Sequence, residues 1–196
     1  MDYKKYRVPE KGKISLKDYD PNDSSEFNGN KDKGKEALLK VNKDIEALQE
    51  QMFAEGKRRL IVLVQAMDTA GKDGVIRHVF EGVNPSGVRV AAFKTPTPIE
   101  LSHDYLWRVH KQTPGKGEIV IFNRSHYESV LVCKVHPEYN LSEKVWKSTD
   151  EIDEKFWKNR YESIKDFEKH ISRNGTKIVK IFLHVSKEEQ KKRFLD

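Results

Sequence analysis

The chain is poor in cysteine. Cys133 is the only one in 196 residues, which excludes an internal disulfide and fits a reducing, cytoplasmic setting. No run of eighteen apolar residues occurs, so no helical membrane span is expected. The first residues, MDYKKYRVPEKGK, lack the apolar stretch of a secretory signal. Internal repeats and low-complexity tracts are missing as well, which sets aside a solenoid. What is present is 36% hydrophobic beside 35% charged residues, enough at this length for one sizeable α/β core but not for two comfortable domains. The net charge of +6 favours an anionic partner without choosing among nucleic acid, nucleotide and inorganic polyanion. A solvated basic surface would account for it equally.

Residues 1–34 read as an extended N-terminal arm, with Pro9, Gly12, Pro21 and Gly29 and the polar run 22–25. Residues 35–196 read as one α/β domain. An amphipathic helix is expected over 35–55, with Leu38, Val41, Ile45, Leu48 and Met52 as its stripe and Gly56 as its stop. Strands are expected at 60–65, 88–93, 118–122 and 177–185. Between them the spacing predicts helices over 72–81, 99–111 and 149–172. The last of these carries a capping box, Ser148 with Glu151, and a buried stripe of Ile152, Phe156, Ile164, Phe167 and Ile171, with Trp157 beside it in the core. A second box, Ser186 with Glu189, opens a basic helix in which the chain ends without cap or turn chemistry, so a fragment of a longer protein is expected. Alternating strands and helices predict a mostly parallel sheet with helices on both faces. Ligands of such sheets bind beyond the carboxyl ends of the strands.

The stretch 60–74, LIVLVQAMDTAGKDG, is a buried strand running into a glycine-bearing loop and a helix. That order forms a phosphate cradle: N–H groups at the helix start face the anion, Gly71 allows close approach, and Lys72 adds a mobile cation. Thr69, Ala70, Asp73 and Gly74 complete the phosphate-binding loop. The usual pattern G-x-x-x-x-G-K-[ST] is met only in part, because Ala66 replaces the first glycine and Asp73 the metal-binding hydroxyl. Asp68 inside the loop would repel bare phosphate unless a metal intervenes, so it is a metal ligand or a base, or else a plain cap for the following helix. An ordinary strand-to-helix turn with a surface lysine also remains open.

The other suggestive residues follow later strands. Arg124 would lie beside the loop if the first and third strands are neighbours, gripping phosphate bidentately or pairing with Glu128. Asn123 stands where many phosphate-loop enzymes place a metal-organising Asp; Glu128 is the nearest carboxylate that could supply that charge. His126 and Tyr127 could line the site, though packing roles fit each better. Lys94, Arg108, His110 and Lys111 could wall an extended anion, or form a solvated helix face. The basic segment 187–193 has the composition of a lid that closes cations over phosphates.

Taken together, QAMDTAGKDGVIRHVFEGVNPSGVRVAAFKTPT, LSHDYLWRVHKQTPGKGEIVIFNRSHYESVLVCKVHP and IFLHVSKEEQKKRFLD resemble the type-2 polyphosphate kinases over about 38–196. The resemblance implies a thymidylate-kinase-like phosphate-loop fold. It also implies phosphoryl transfer between inorganic polyphosphate and a nucleoside mono- or diphosphate, dependent on Mg²⁺ or, as a substitute, Mn²⁺. By position, Asp68 and Lys72 match the family's loop acid and phosphate-bridging lysine. Asn123, Arg124 and Glu128 match its second signature, with Asp68 and Glu128 as metal ligands and Asp68, Lys72 and Arg124 as the catalytic set. Lys94, Arg108 and Lys111 fall in the polyphosphate channel. The FNRSHYE form resembles members that phosphorylate AMP, ADP or both, with guanine nucleotides as further acceptors. A homo-oligomer is expected, and a lid and final strand beyond Asp196. A polyanion-binding module without turnover and a kinase using ATP as donor remain the competing classes. No nucleic-acid module is recognisable, and the aromatics follow core periodicity rather than a stacking platform.

Overall fold

The computed structural model describes residues 3–9 and 12–195; residues 1, 2, 10, 11 and 196, at the expected arm and the end of the expected lid helix, lie outside them. Residues up to 30 form short 3-10 turns, at Tyr3–Tyr6 and Leu16–Asp18, and bury no side chain in either. Lys5 holds this segment together by bonding Asp23 at 2.6 Å, and that cation together with the Ser25 backbone and hydroxyl lowers the Asp23 carboxyl to about 2.

Helix α1 spans Lys31–Glu55 and starts earlier than the periodicity predicts, because the Asn30 side chain accepts the Lys33 N–H as N-cap. Gly56 ends it in the left-handed region, φ 57°, as expected. The predicted stripe is half right. Leu38, Ile45 and Met52 face inward, but Val41 and Leu48 are exposed, and Asn42 and Gln49 take the buried positions between them. Asn42 is used there to donate to the His78 carbonyl, at 2.8 Å. Gln49 packs where a Cβ on Gly87 would collide with it, so the turn at Pro85–Gly87 needs its glycine.

Four strands follow: β1 Arg59–Ala66, β2 Val88–Ala92, β3 Ile119–Asn123 and β4 Thr176–Leu183. They form one parallel sheet in the order β2-β3-β1-β4. Period-two alternation gives the central strands two apolar faces. Ile61, Leu63, Val120 and Phe122 pack with Phe93, Val109, Phe167 and Ile171 on one face. Val62, Val64, Ile119 and Ile121 pack with Ile76, Met52 and Phe80 on the other. Each fully buried side chain of this kind contributes about 1.5–3 kcal/mol relative to exposure.

The remaining helices are α2 Lys72–Val79, α3 Pro98–Leu101, α4 Trp107–His110, α5 Glu128–Val135, α6 Glu154–Arg173 and α7 Lys187–Leu195. Two expectations are corrected. The helix predicted over 99–111 is broken in two. Thr97 and Glu100 close a capping box on α3, Ser102 donates back to the Ile99 carbonyl, and the Asp104 side chain accepts the Leu106 N–H before α4 begins. The Ser148–Glu151 box does not cap α6 either. Ser148 makes no capping bond and Glu151 accepts from Lys147 N, while Asp153 caps α6 by accepting from Phe156 N at 2.8 Å. Helix α5 has no counterpart in the sequence reading. Asn140, buried, ties the 3-10 segment Pro137–Glu143 back to its C-terminal end through the Cys133 and Pro137 carbonyls. No helix among the described residues is long and apolar enough to cross a membrane.

Candidate active site

The sheet register sets the site. Val64 pairs with Asn123, and Ala92 pairs with Asn123 from the other side, so β1, β3 and β2 end level with one another. The loops that leave them carry Asp68 to Gly74, Arg124 to Glu128 and Lys94 respectively. Because β1 and β3 are neighbours, the condition for Arg124 to stand beside the phosphate loop is met.

After β1 the chain turns sharply. Thr69 takes φ 60°, Ala70 N–H bonds back to Met67, and Gly71 takes φ 89° as N-cap of α2. No side chain caps α2. Asp68 is therefore not a helix cap. Its carboxylate is exposed and has no partner among the described residues, while its carbonyl accepts from Gln190 at 2.9 Å. The first N–H groups of α2, at Lys72, Asp73 and Gly74, are not bonded to the carbonyls four residues behind them, since the helical pattern begins with Val75 N–H on Gly71, and they stay open to an anion. Lys72 lies folded over the loop, donating to the Ala66 carbonyl at 3.3 Å. Gly74 sits within α2, where an added Cβ would meet open space. Asp73 is bonded by the Asn123 amide, so the polar end of β3 and the first turn of α2 are tied together.

Helix α7 leans on this loop. Arg193 donates to the Thr69 carbonyl at 3.3 Å, and its guanidinium is the nearest group to a Cβ built on Gly71, at 3.4 Å. Its Nε also bonds Glu189 at 2.7 Å, which lowers the Glu189 carboxyl. Two loop carbonyls, of Asp68 and Thr69, are thereby drawn outward to α7, leaving the loop N–H groups for the cradle. Ser186 caps α7 through Glu189 N, whereas the Glu189 side chain turns to Arg193 instead of closing the expected box.

After β3, Arg124 takes φ 61°, is exposed, and has no ion pair among the described residues. The alternative pairing with Glu128 is absent, since Glu128 accepts instead from Gln65 Nε2 at 2.8 Å. A cavity of about 550 Å³ opens here, with Lys94, Arg124 and Glu128 at the strand-end side and Leu101, Tyr105 and Tyr139 among its apolar walls. Arg108 lines it but is committed to the Glu100 carboxylate and the Lys94 carbonyl, and burial pushes its guanidinium below the ordinary value against the pull of Glu100. Lys111 stands apart, 4.4 Å over the Trp107 ring, and His110 packs near Phe167.

His126 and Tyr127 pack as expected, and His126 also lines the cavity, the other role open to it. His126 is buried against Phe122 and Phe167, with Nε2 3.1 Å from Glu168. Tyr127 donates to Glu168, and Lys180 donates to both Tyr127 and Glu168. Burial raises the Glu168 carboxyl, but hydrogen bonds from His126 and Lys180 outweigh it and leave the group below its ordinary value.

Sequence reasoning missed Gln65, Ser125 and Gln190. Gln65 carried a signal, being an amide at the end of an otherwise apolar strand; Ser125 and Gln190 carried none without the fold. Asp68 and Glu128 suit a hard cation: one carboxylate is free and the other has one oxygen engaged. Among the described residues no three His, Cys, Asp or Glu side chains cluster as a closed metal cage.

Known proteins bear on this arrangement in sequence and in shape. An AMP/ADP-polyphosphate phosphotransferase from Meiothermus ruber is 52% identical over 190 residues, 97% of this chain and 66% of that protein. An ADP-polyphosphate phosphotransferase from Rhodopseudomonas palustris is 44% identical over 192 residues, 98% of this chain and 66% of that protein. The crystal structure of polyphosphate kinase 2 from Arthrobacter aurescens matches 96% of this chain and 63% of its own at a TM-score of 0.83 and 41% identity. The chain thus spans a little under two thirds of the length of these relatives. Its parallel sheet and loop are those of a phosphate-loop kinase-like fold. The family model for Polyphosphate kinase 2 matches residues 28–196, which takes in the sheet, the phosphate loop and the second signature in one continuous span, and the chain belongs to that family.

Proposed function

We propose that the protein transfers a phosphoryl group between inorganic polyphosphate and a nucleoside mono- or diphosphate, converting AMP or ADP to ADP or ATP. The observation that carries this reading is the state of Asp68. A carboxylate in a phosphate cradle, exposed, unpartnered and capping nothing, has no structural task there, and it suits a metal-screened phosphate chain. The names of the relatives, which mention AMP, ADP and polyphosphate, point the same way.

In this reading the N–H groups of Lys72, Asp73 and Gly74, with those of Thr69 and Gly71 in the turn before them, orient the phosphates, while the Ala70 N–H, bonded to the Met67 carbonyl, holds the turn in shape. Lys72 leaves the Ala66 carbonyl to bridge them. Arg124 grips the transferring group from the β3 side, and its unpaired state leaves it free to do so. Asp68 and Glu128 would hold Mg²⁺, or Mn²⁺ in its place, which would supply positive charge against the phosphates. Asn123 keeps Asp73 in the first turn of α2. Lys94 extends the cationic wall along the polyphosphate channel, with Arg108 fixing its carbonyl and Lys111 farther along the same segment. The acceptor nucleoside, adenosine or guanosine, occupies the cavity between Leu101, Tyr105 and Tyr139.

The same reading places the protein in the cytoplasm as a homo-oligomer; exposed Val41 and Leu48, seven residues apart and so on one side of α1, offer an apolar strip between copies. Incubation with polyphosphate, Mg²⁺ and AMP or ADP, with ATP omitted, followed by chromatographic separation of nucleotides, tests the donor. Higher nucleotides are expected. Product from ATP alone would assign a conventional kinase instead.

A further inference from the structure

Gln65 lies in β1 just before the phosphate loop, among apolar neighbours, yet both ends of its amide are used. Nε2 donates to Glu128 Oε1 at 2.8 Å, and Oε1 accepts from the Ser125 hydroxyl at 3.2 Å. Ser125, 1% exposed, has its own oxygen fixed by the Tyr127 N–H at 3.1 Å. The chain Tyr127 N–H, Ser125 hydroxyl, Gln65 amide, Glu128 carboxylate therefore runs in one direction. A flipped amide would set its oxygen against the carboxylate and its nitrogen against the hydroxyl proton. Glu128 has no other side-chain hydrogen bond among the described residues, so one oxygen is pinned and the other is left over, and the residue lines the cavity.

We propose that Gln65 is a positioning residue, which holds Glu128 by Oε1 so that Oε2 is presented to the cavity, and which thereby couples the loop after β1 to the signature after β3. This rests on the phosphotransfer role given to Glu128 above. No other side chain of this size does the same work. Glutamate would oppose two carboxylates, methionine offers no donor, and asparagine is a methylene short.

The test compares Gln65→Met, which keeps the volume, with wild type and in a Glu128→Gln background. Loss of a partner that orients a metal-binding carboxylate costs about 10–100-fold in activity. A drop of that size in kcat is expected from Gln65→Met alone, with less than about twofold in the Glu128→Gln background, because the orienting contact would have nothing left to orient. Equal losses in both backgrounds would overturn the proposal and mark Gln65 as merely structural. A crystal structure of Gln65→Met gives a readout independent of turnover. Glu128 is expected to leave its present rotamer, and retention of that rotamer would also overturn the proposal. Gln65→Asn, which preserves polarity, serves for both measurements if Gln65→Met fails to fold. A wild type inactive with polyphosphate would refute the phosphotransfer reading, while the crystal structure would still decide what Gln65 holds.

Discussion

A lone carboxylate repels phosphate, so the free state of Asp68 separates its function from its stability. Asp68→Asn should lower phosphotransfer by about 10²–10³-fold by removing charge from the site. The same change should alter unfolding free energy by no more than about 0.5 kcal/mol, since the side chain is exposed and unpartnered. Initial rates and urea midpoints of the same preparation would check both halves, and near-normal turnover would remove Asp68 from the mechanism. Lys72→Ala should lose a comparable factor in rate, because its present bond to the Ala66 carbonyl is a resting place and not a structural need. At this scale the sequence was legible where a residue's chemistry conflicts with its surroundings, as with Asp68 in a cradle. It was silent where the meaning of a residue comes from a partner distant in sequence, as with Ser125 or Gln190.

Among the elements, α6 offers the clearest contrast between pattern and geometry. Asp153→Ala should cost about 1 kcal/mol of stability as the loss of a true N-cap, whereas Ser148→Ala should cost less than about 0.5 kcal/mol. Chemical unfolding distinguishes them, and the reverse order would restore the Ser148 box. The strands were readable because β-branched and aromatic runs bounded by turns have few alternatives, and all four appear within about two residues of expectation. The 99–111 region was misread because its apolar spacing is helical while Ser102 and Asp104 compete for the backbone that a helix would use. The stripe of α1 failed for a related reason. Buried Asn42 has a carbonyl to bind, and a pattern that counts only apolar residues passes over it.

For the molecule as a whole, the bonded group of buried His126, half-buried Tyr127 and Glu168 and exposed Lys180 joins β4 and α6 to the segment that carries the second signature. Glu168 titrates below its ordinary 4.5 when folded, so its contribution is present above that pH and is lost as pH falls below it. Lys180 is displaced the other way: burial lowers it, but Glu168 and Tyr127 raise it past 10.5, so its contribution is present below 10.5 and fades as pH climbs through the raised value. Urea midpoints of wild type and Glu168→Gln should therefore differ at neutral pH and converge as pH drops below 4.5. A constant gap would show that the carboxylate charge is irrelevant. Strand order has a further consequence, in time. The strand that leads into the phosphate loop, Arg59–Ala66, is flanked by Ile119–Asn123 and Thr176–Leu183, both made much later in the chain. During synthesis the loop emerges early but waits for distant neighbours, and such long-range closure is slow. A nascent chain should thus stay unable to hold an anion in this loop until Leu183 has cleared the ribosome, so the cradle becomes competent only when the sheet that frames it is complete.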